Sequence, residues 1–242
     1  MEIYPVVHIK DVGRAVREAR KIFEHDADGL YLIDHSNSGY ETDRLFEAYN
    51  EIKAEDTNRY VGLSLMGLSP INAVNLLAKS LGKEPGILLA PSAIWIDDMR
   101  ADDIQSDENR MGAMELKNAD PRLKKMRILG GVAFKYTKSY TDDPLMALYE
   151  ATFLKDTVDV VTTSGPISGM PPSVEKIAEM KRVLGDQYLA VASGISAENI
   201  RNYEGIVDEV LVGRGIEVIP DSGIIDSAKL QELIEIAHSL AK

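Results

Sequence analysis

Two short segments near the end of the chain carry residue types suited to holding an anion. One is Ser193-Gly194-Ile195-Ser196-Ala197-Glu198-Asn199 and the other is Gly213-Arg214-Gly215. Gly194, Gly213 and Gly215 let the backbone approach a ligand and expose its amides. Arg214 adds a planar fork of donors that matches phosphate or carboxylate. Ser196 reads as the N-cap of a short helix whose first N–H groups point at an anion. A third segment, 164–172 (SGPISGMPP), is rich in turn residues and hydroxyls. Its Ser164, Gly165 and Gly169 are expected either to touch or cover a ligand or to form a rigid connector.

Other side chains could carry the reaction itself. Lys135 closes an apolar run, RILGGVAFK. Aimed into a cavity, it is a Schiff-base nucleophile or an anion partner; aimed outward, it is a solvated lysine beside Lys138. Asp34 and His35 close another apolar run and have the types needed for an acid–base pair. His8, near the end of the first run, reads as a satisfied core histidine. His25 and His238 fall in helical patterns and read as surface residues. With four histidines and no cysteine, a metal would need carboxylates such as Asp34, Asp97 and Asp98. Their spacing is not that of a metal site, so no metal is expected. The acidic stretch 97–108 reads as a solvated loop, with a lid over a site or a Mg²⁺ contact as the alternatives.

These residues need a scaffold. β-rich runs occupy 3–9, 29–34, 60–66, 86–90 (resuming at 93–96), 127–135, 158–163, 188–192 and 209–213. Helical patterns alternate with them. Val12, Ala15, Val16, Ala19, Ile22 and Phe23 share one helical face. A second helix is expected over about 42–54. Ser69-Pro70 opens a third, which Gly82 ends. Pro144 opens another, and Ser173 caps one carrying Val174, Ile177, Met180 and Leu184. A short helix follows Ser196, and a last one spans about 226–241. Residues 97–126 break the rhythm. Eight repeats of about 30 residues over 242 fit a single-domain α/β fold, the (β/α)₈ TIM barrel. Runs such as VDVVTT and EVLVG, apolar throughout, fit strands buried on both faces. An open doubly wound sheet is the alternative, but no Gly-rich fingerprint follows the first strand. In a barrel, chemistry sits at the C-terminal strand ends, and phosphate between the loops after strands seven and eight. That is where the two glycine segments fall.

Composition bounds the partners. The chain has 39 acidic and 27 basic residues and a net charge of -12. Nucleic acid polymers and anionic membranes bind clustered Lys and Arg, so neither is expected. A hydrophobic content of 45% suits a folded chain. Without cysteine there are no disulfides, thiolate metal sites or cysteine nucleophiles. No apolar run reaches membrane-spanning length and no leader pattern opens the chain, so a cytoplasmic location is expected. A phosphorylated ligand would have to be attracted by local geometry, against the overall charge.

The C-terminal motifs resemble the BtpA family, TIM barrels that include a photosystem I biogenesis protein. The similarity is carried by DVVTTSGPISGMPPSVEKIAEMKRV and YLAVASGISAENIRNYEGIVDEVLVGRGIE. Ser164, Gly165, Gly169, Pro172, Ser193, Gly194, Glu198, Asn199 and Gly213 match the family pattern, and a Lys near the end of its fifth strand matches Lys135. VGLSLMGLSPINAVNLLAKSLG is more loosely similar to its third unit. The departures lie at strand ends. His8-Ile9-Lys10-Asp11 replaces a His-Leu-x-Pro-x-Pro type run, Asp34-His35 replaces Glu-Asn, and Ala90-Pro91-Ser92 stands where an Asn is usual. The resemblance implies a phosphate-binding barrel acting on a small phosphorylated, sugar-like or nucleotide-like molecule, as an isomerase, lyase or nucleosidase-type enzyme. The altered strand ends equally fit a non-catalytic assembly or stability factor. The opening VVHIKD is faintly similar to phosphoribosylanthranilate isomerase, but the cysteine of that chemistry is absent. No cofactor is expected, although flavin barrels share the last two phosphate loops. Homo-oligomers are common among such barrels.

Overall fold

The computed structural model describes residues 1–35, 42–65, 67–83, 86–99 and 104–240, with side chains from 107 onward in the last segment. Met66, Asp102, Asp103 and Ala241, which fall in segments read above, lie outside these residues. Eight parallel strands close a barrel in chain order: β1 Glu2–His8, β2 Leu30–Ile33, β3 Val61–Ser64, β4 Ala93–Ile96, β5 Arg127–Gly131, β6 Val160–Thr163, β7 Tyr188–Val191 and β8 Glu209–Val212. The closing seam pairs Glu2 with Glu209 and Pro5 with Val212. Around it lie α1 Val12–Glu24, α2 Asp43–Glu55, α3 Pro70–Ser80, α4 Ile104–Ala119, α5 Pro144–Leu154, α6 Val174–Leu184 and α7 Ser227–Ser239. Between β7 and β8 stands only a 3₁₀ turn, Ile200–Tyr203. The expected TIM barrel is the fold found. Among the described residues no helix is long and apolar enough to cross a membrane.

Strand alternation divides the core into two layers, because successive side chains face opposite ways. Tyr4, Val6, Tyr31, Ile33, Ala93, Trp95, Leu129, Ala190 and Leu211 fill the barrel interior. Ile3, Val7, Leu30, Leu32, Ile94, Ile96 and Val210 face the helices. Caps set several helix starts. Asp11 accepts from the Arg14 amide, Asp143 from Met146, and Ser173 from Lys176. Each of these bonds satisfies an amide that the first helical turn leaves open.

Three expectations are corrected. The run 86–90 is not a barrel strand. Ile87 makes only a bridge to Leu81, while Ala93 pairs with both Gly62 and Arg127 and so takes the place between β3 and β5. The acidic stretch does not run on as a loop, because α4 begins within it. Two of the buried positions of α4 are charged: Arg110 donates to the Phe153 carbonyl and Lys117 reaches Asp159 at 3.3 Å. The helix therefore shows no apolar stripe. Finally, β5 ends at Gly131, and Lys135 lies beyond it, after a turn in which Ala133 takes a φ of +46°.

Candidate active site

The C-terminal strand ends open into a cavity of about 1080 Å³ to which segments after all eight strands contribute. Alternation decides what reaches it. Ile33 faces the barrel interior, so Asp34 faces the helix layer and His35 returns to the cavity. There the Asp34 carboxylate accepts two bonds from Arg44 of α2, at 2.6 and 2.7 Å. Asp34 is therefore a strand-to-helix tie and not part of the mouth. His8 does reach the cavity and is not a core histidine. Its ring stacks on His35 with centroids 5.0 Å apart. Burial, together with His35 and Lys10, lowers His8 to about 4. Burial and Lys10 also lower His35.

Lys135 points into the cavity. Its ammonium donates to the Ala192 carbonyl at 3.0 Å and lies 4.6 Å over the Phe134 ring. Burial lowers its pKa, with Asp97 opposing. Asp97 lines the same space, and burial raises it to about 6 against the pull of Lys135. Both groups thus give up charge more readily than usual. The loop carrying Lys135 is clamped from behind. Ser164, fully buried, accepts the Lys135 amide at 2.8 Å. Lys176 of α6 donates to the carbonyls of Ala133 at 2.9 Å and Ser164 at 2.8 Å. Ser164 therefore positions Lys135 and does not itself line the cavity. Gly165 lies behind the lining too, where a Cβ would come 2.1 Å from the Met170 carbonyl.

The two glycine segments meet at the mouth. Gly194 has a φ of +70°, and a Cβ there would fall 2.1 Å from the Pro171 nitrogen. A Cβ on Gly215 would fall 2.2 Å from the Ile195 carbonyl. Only glycine permits this approach of the loops after β6, β7 and β8. Gly213 leaves room for His8, whose Nε2 would lie 3.1 Å from an added Cβ, and Gly169 backs Arg214. The amides of Gly194, Ile195, Gly213, Arg214 and Gly215 have no acceptor among the described residues. Arg214 donates from Nε to Asp221 and from Nη1 to the Ser168 carbonyl, each at 2.6 Å. Its Nη2 has no partner there. Ser196 is not the expected cap. Its amide donates to Asn199 Oδ1 at 3.0 Å, its hydroxyl donates to Glu198, and it lies outside the lining.

The cavity also holds residues that sequence reasoning passed over: Lys10, Trp95, Tyr136 and Asp221. Trp95 and Asp97 carry a readable signal, since they continue the inward phase of β4 two residues apart. Asp221, brought in by a turn after β8, carries none.

No protein-family model matches the chain, and no curated protein matches it. Solved structures resemble its fold. (S)-3-O-geranylgeranylglyceryl phosphate synthase from Thermoplasma acidophilum, solved with its substrate sn-glycerol-1-phosphate, is 17% identical with a TM-score of 0.63, over 97% of this chain and 92% of that one. Phosphoribosylanthranilate isomerase from Thermotoga maritima is 15% identical with a TM-score of 0.64, over 99% and 100%. The tryptophan synthase α chain of Legionella pneumophila is 16% identical with a TM-score of 0.64, over 100% and 93%. At these identities the likeness shows the TIM-barrel fold and not the reaction.

Proposed function

We propose that this chain is an enzyme acting on a small phosphorylated molecule bound in the barrel mouth. The amides of Gly194, Ile195, Gly213, Arg214 and Gly215 and the free end of the Arg214 guanidinium hold the phosphate. Lys135 and Asp97 face the reacting end, with His35 beside them. The observation that carries this reading is the set of five amides without acceptors, on two adjacent loops beside a cation. Amides that face a cavity without a protein acceptor are free to bond a ligand, and an anion is their natural partner beside an arginine. The solved relatives named for phosphate esters, and the BtpA-like loops 164–172 and 193–199, support the same reading. Gly169 lines this pocket; Ser164 and Gly165 shape it from behind.

A buried lysine amine beside a buried carboxyl offers a nucleophile and a group that exchanges protons near neutral pH. That suits a lyase or isomerase on a carbonyl substrate. A nucleosidase-type hydrolysis would use Asp97 as its base. No step requires a cofactor. The alternative, an assembly factor without catalysis, is favoured by Leu145, Met146 and Tyr149, which stand exposed on α5. The same face would serve a homo-oligomer.

Inorganic phosphate tests the reading directly. A native-state ligand raises the melting temperature, so millimolar phosphate should raise it, and Arg214→Ala should remove the shift. An unchanged shift in the variant would put the anion elsewhere.

A further inference from the structure

The end of the cavity away from the glycine loops has its own chemistry. β4 presents two inward residues two positions apart, Trp95 and Asp97, on one wall. Trp95 is 5% exposed, and its Nε1–H has no acceptor among the described residues. Asp97 Oδ1 is buried and accepts no bond. The indole does not depend on that N–H for its orientation. Its ring meets Tyr31 edge-on at 6.4 Å and Phe134 at 5.8 Å. Packing therefore holds one donor on the same wall as one acceptor, with neither satisfied among the described residues.

A buried polar atom left unpaired is costly, and an indole N–H normally finds a partner. A hydroxyl satisfies both atoms at once, because it accepts one bond and donates another. A methyl or methylene satisfies neither. Strand order sets the distance. In a ring of eight, β4 stands opposite β8, so this wall faces Gly213, Arg214 and Gly215 across the mouth. Lys135 reaches between them toward β7, at the Ala192 carbonyl.

We infer that the ligand is a sugar or polyol phosphate that spans the mouth, with a hydroxyl remote from its phosphate bonded by Trp95 Nε1 and Asp97 Oδ1. This rests on the phosphate reading of the glycine loops. It makes Trp95 the residue that separates hydroxylated phosphate esters from plain alkyl esters. Sites built to bond a hydroxyl discriminate strongly against analogues lacking it.

Trp95 is the sole tryptophan of the chain, so intrinsic fluorescence reports on it alone. Inorganic phosphate, n-propyl phosphate, ribose 5-phosphate and glucose 6-phosphate are titrated into the full chain, with melting temperature and Trp95 emission read together. All four should raise the melting temperature. Only the sugar phosphates should shift the emission, and at least one should bind about tenfold more tightly than n-propyl phosphate, as one recovered hydrogen bond allows. Trp95→Phe should cut that ratio at least about threefold and leave the affinity for inorganic phosphate unchanged, since the hydroxyl then keeps only its bond to Asp97. Sugar phosphates that stabilise the wild type without moving the emission, or that bind no better than n-propyl phosphate, would overturn the hydroxyl assignment and leave the phosphate reading standing. A ratio unchanged in Trp95→Phe would overturn it too. Absence of stabilisation by any of the four would overturn the phosphate reading and this assignment with it. The wild-type titrations decide the matter even if the variant fails to fold.

Discussion

Replacing Lys176 with methionine should change how stability depends on pH more than it changes stability itself. Lys176 is fully buried, with its ammonium on two backbone carbonyls, Asp142 at 3.8 Å and the Tyr140 ring at 5.2 Å. Burial lowers its pKa from 10.5 to about 8, with Asp142 opposing. The unfolded chain therefore keeps this proton to higher pH than the folded one. Below pH 8 both states carry it, and folding bears the full cost of burying the charge. Above about pH 10.5 neither carries it, and the cost is gone. In between, stability rises by about 1.4 kcal/mol per pH unit, about 3 kcal/mol in all. Methionine removes the charge but leaves the Ala133 and Ser164 carbonyls without their donor, at about 1–3 kcal/mol each. At pH 7 these effects largely cancel. Urea unfolding of wild type and Lys176→Met, followed by circular dichroism at pH 7, 8, 9 and 10, isolates this one group by subtraction. The wild type should gain about 2.5 kcal/mol on the variant across that range. A difference that stays constant with pH would refute the reasoning.

Three other outcomes are expected. Asp221→Asn releases Arg214 from an exposed ion pair, so phosphate should bind about two- to fivefold more tightly by calorimetry; weaker binding would show that Asp221 shapes the site. His8, lowered to about 4 by burial, should remain neutral from pH 5.5 to 8, and a resonance assigned to the His8 ring that titrates above pH 6 would contradict this. Gly62→Ala places a Cβ 2.2 Å from the buried Tyr31 ring and should cost about 1–3 kcal/mol in chemical unfolding; a neutral result would mean the ring can move.

The repeat was legible because a parallel strand buried on both faces reads as a short apolar run, and the cap at Ser173 is local. What failed depended on distant pairing or on phase. GILLA and AIWI are alike as strings, and only the pairing of Ala93 with Gly62 and Arg127 selects the second. Asp34 and His35 both close a strand, yet one residue of phase sends the first to Arg44 and the second to the mouth. The Ser196 cap fails because its hydroxyl turns to Glu198, two residues on, and accepts no helix amide. As a string Asp97 belongs to an acidic loop, but the inward phase of β4 makes it a wall of the cavity. The helix α4 was hidden because its buried face uses Arg110 and Lys117 where apolar residues would mark it.

Among the described residues four cations and three carboxylates line the mouth, in a chain whose net charge is -12. The excess negative charge of the described residues therefore lies elsewhere on the molecule, and on the phosphate reading a dianion would approach through a repulsive field before it met the loops. Salt screens that field over about 8 Å at physiological strength but weakens contacts inside the cavity less. Association should accordingly speed up as salt is added, the reverse of the behaviour of proteins that draw phosphate in with a basic surface. On the phosphate reading, the charge of this barrel is a barrier to entry and its geometry is the trap.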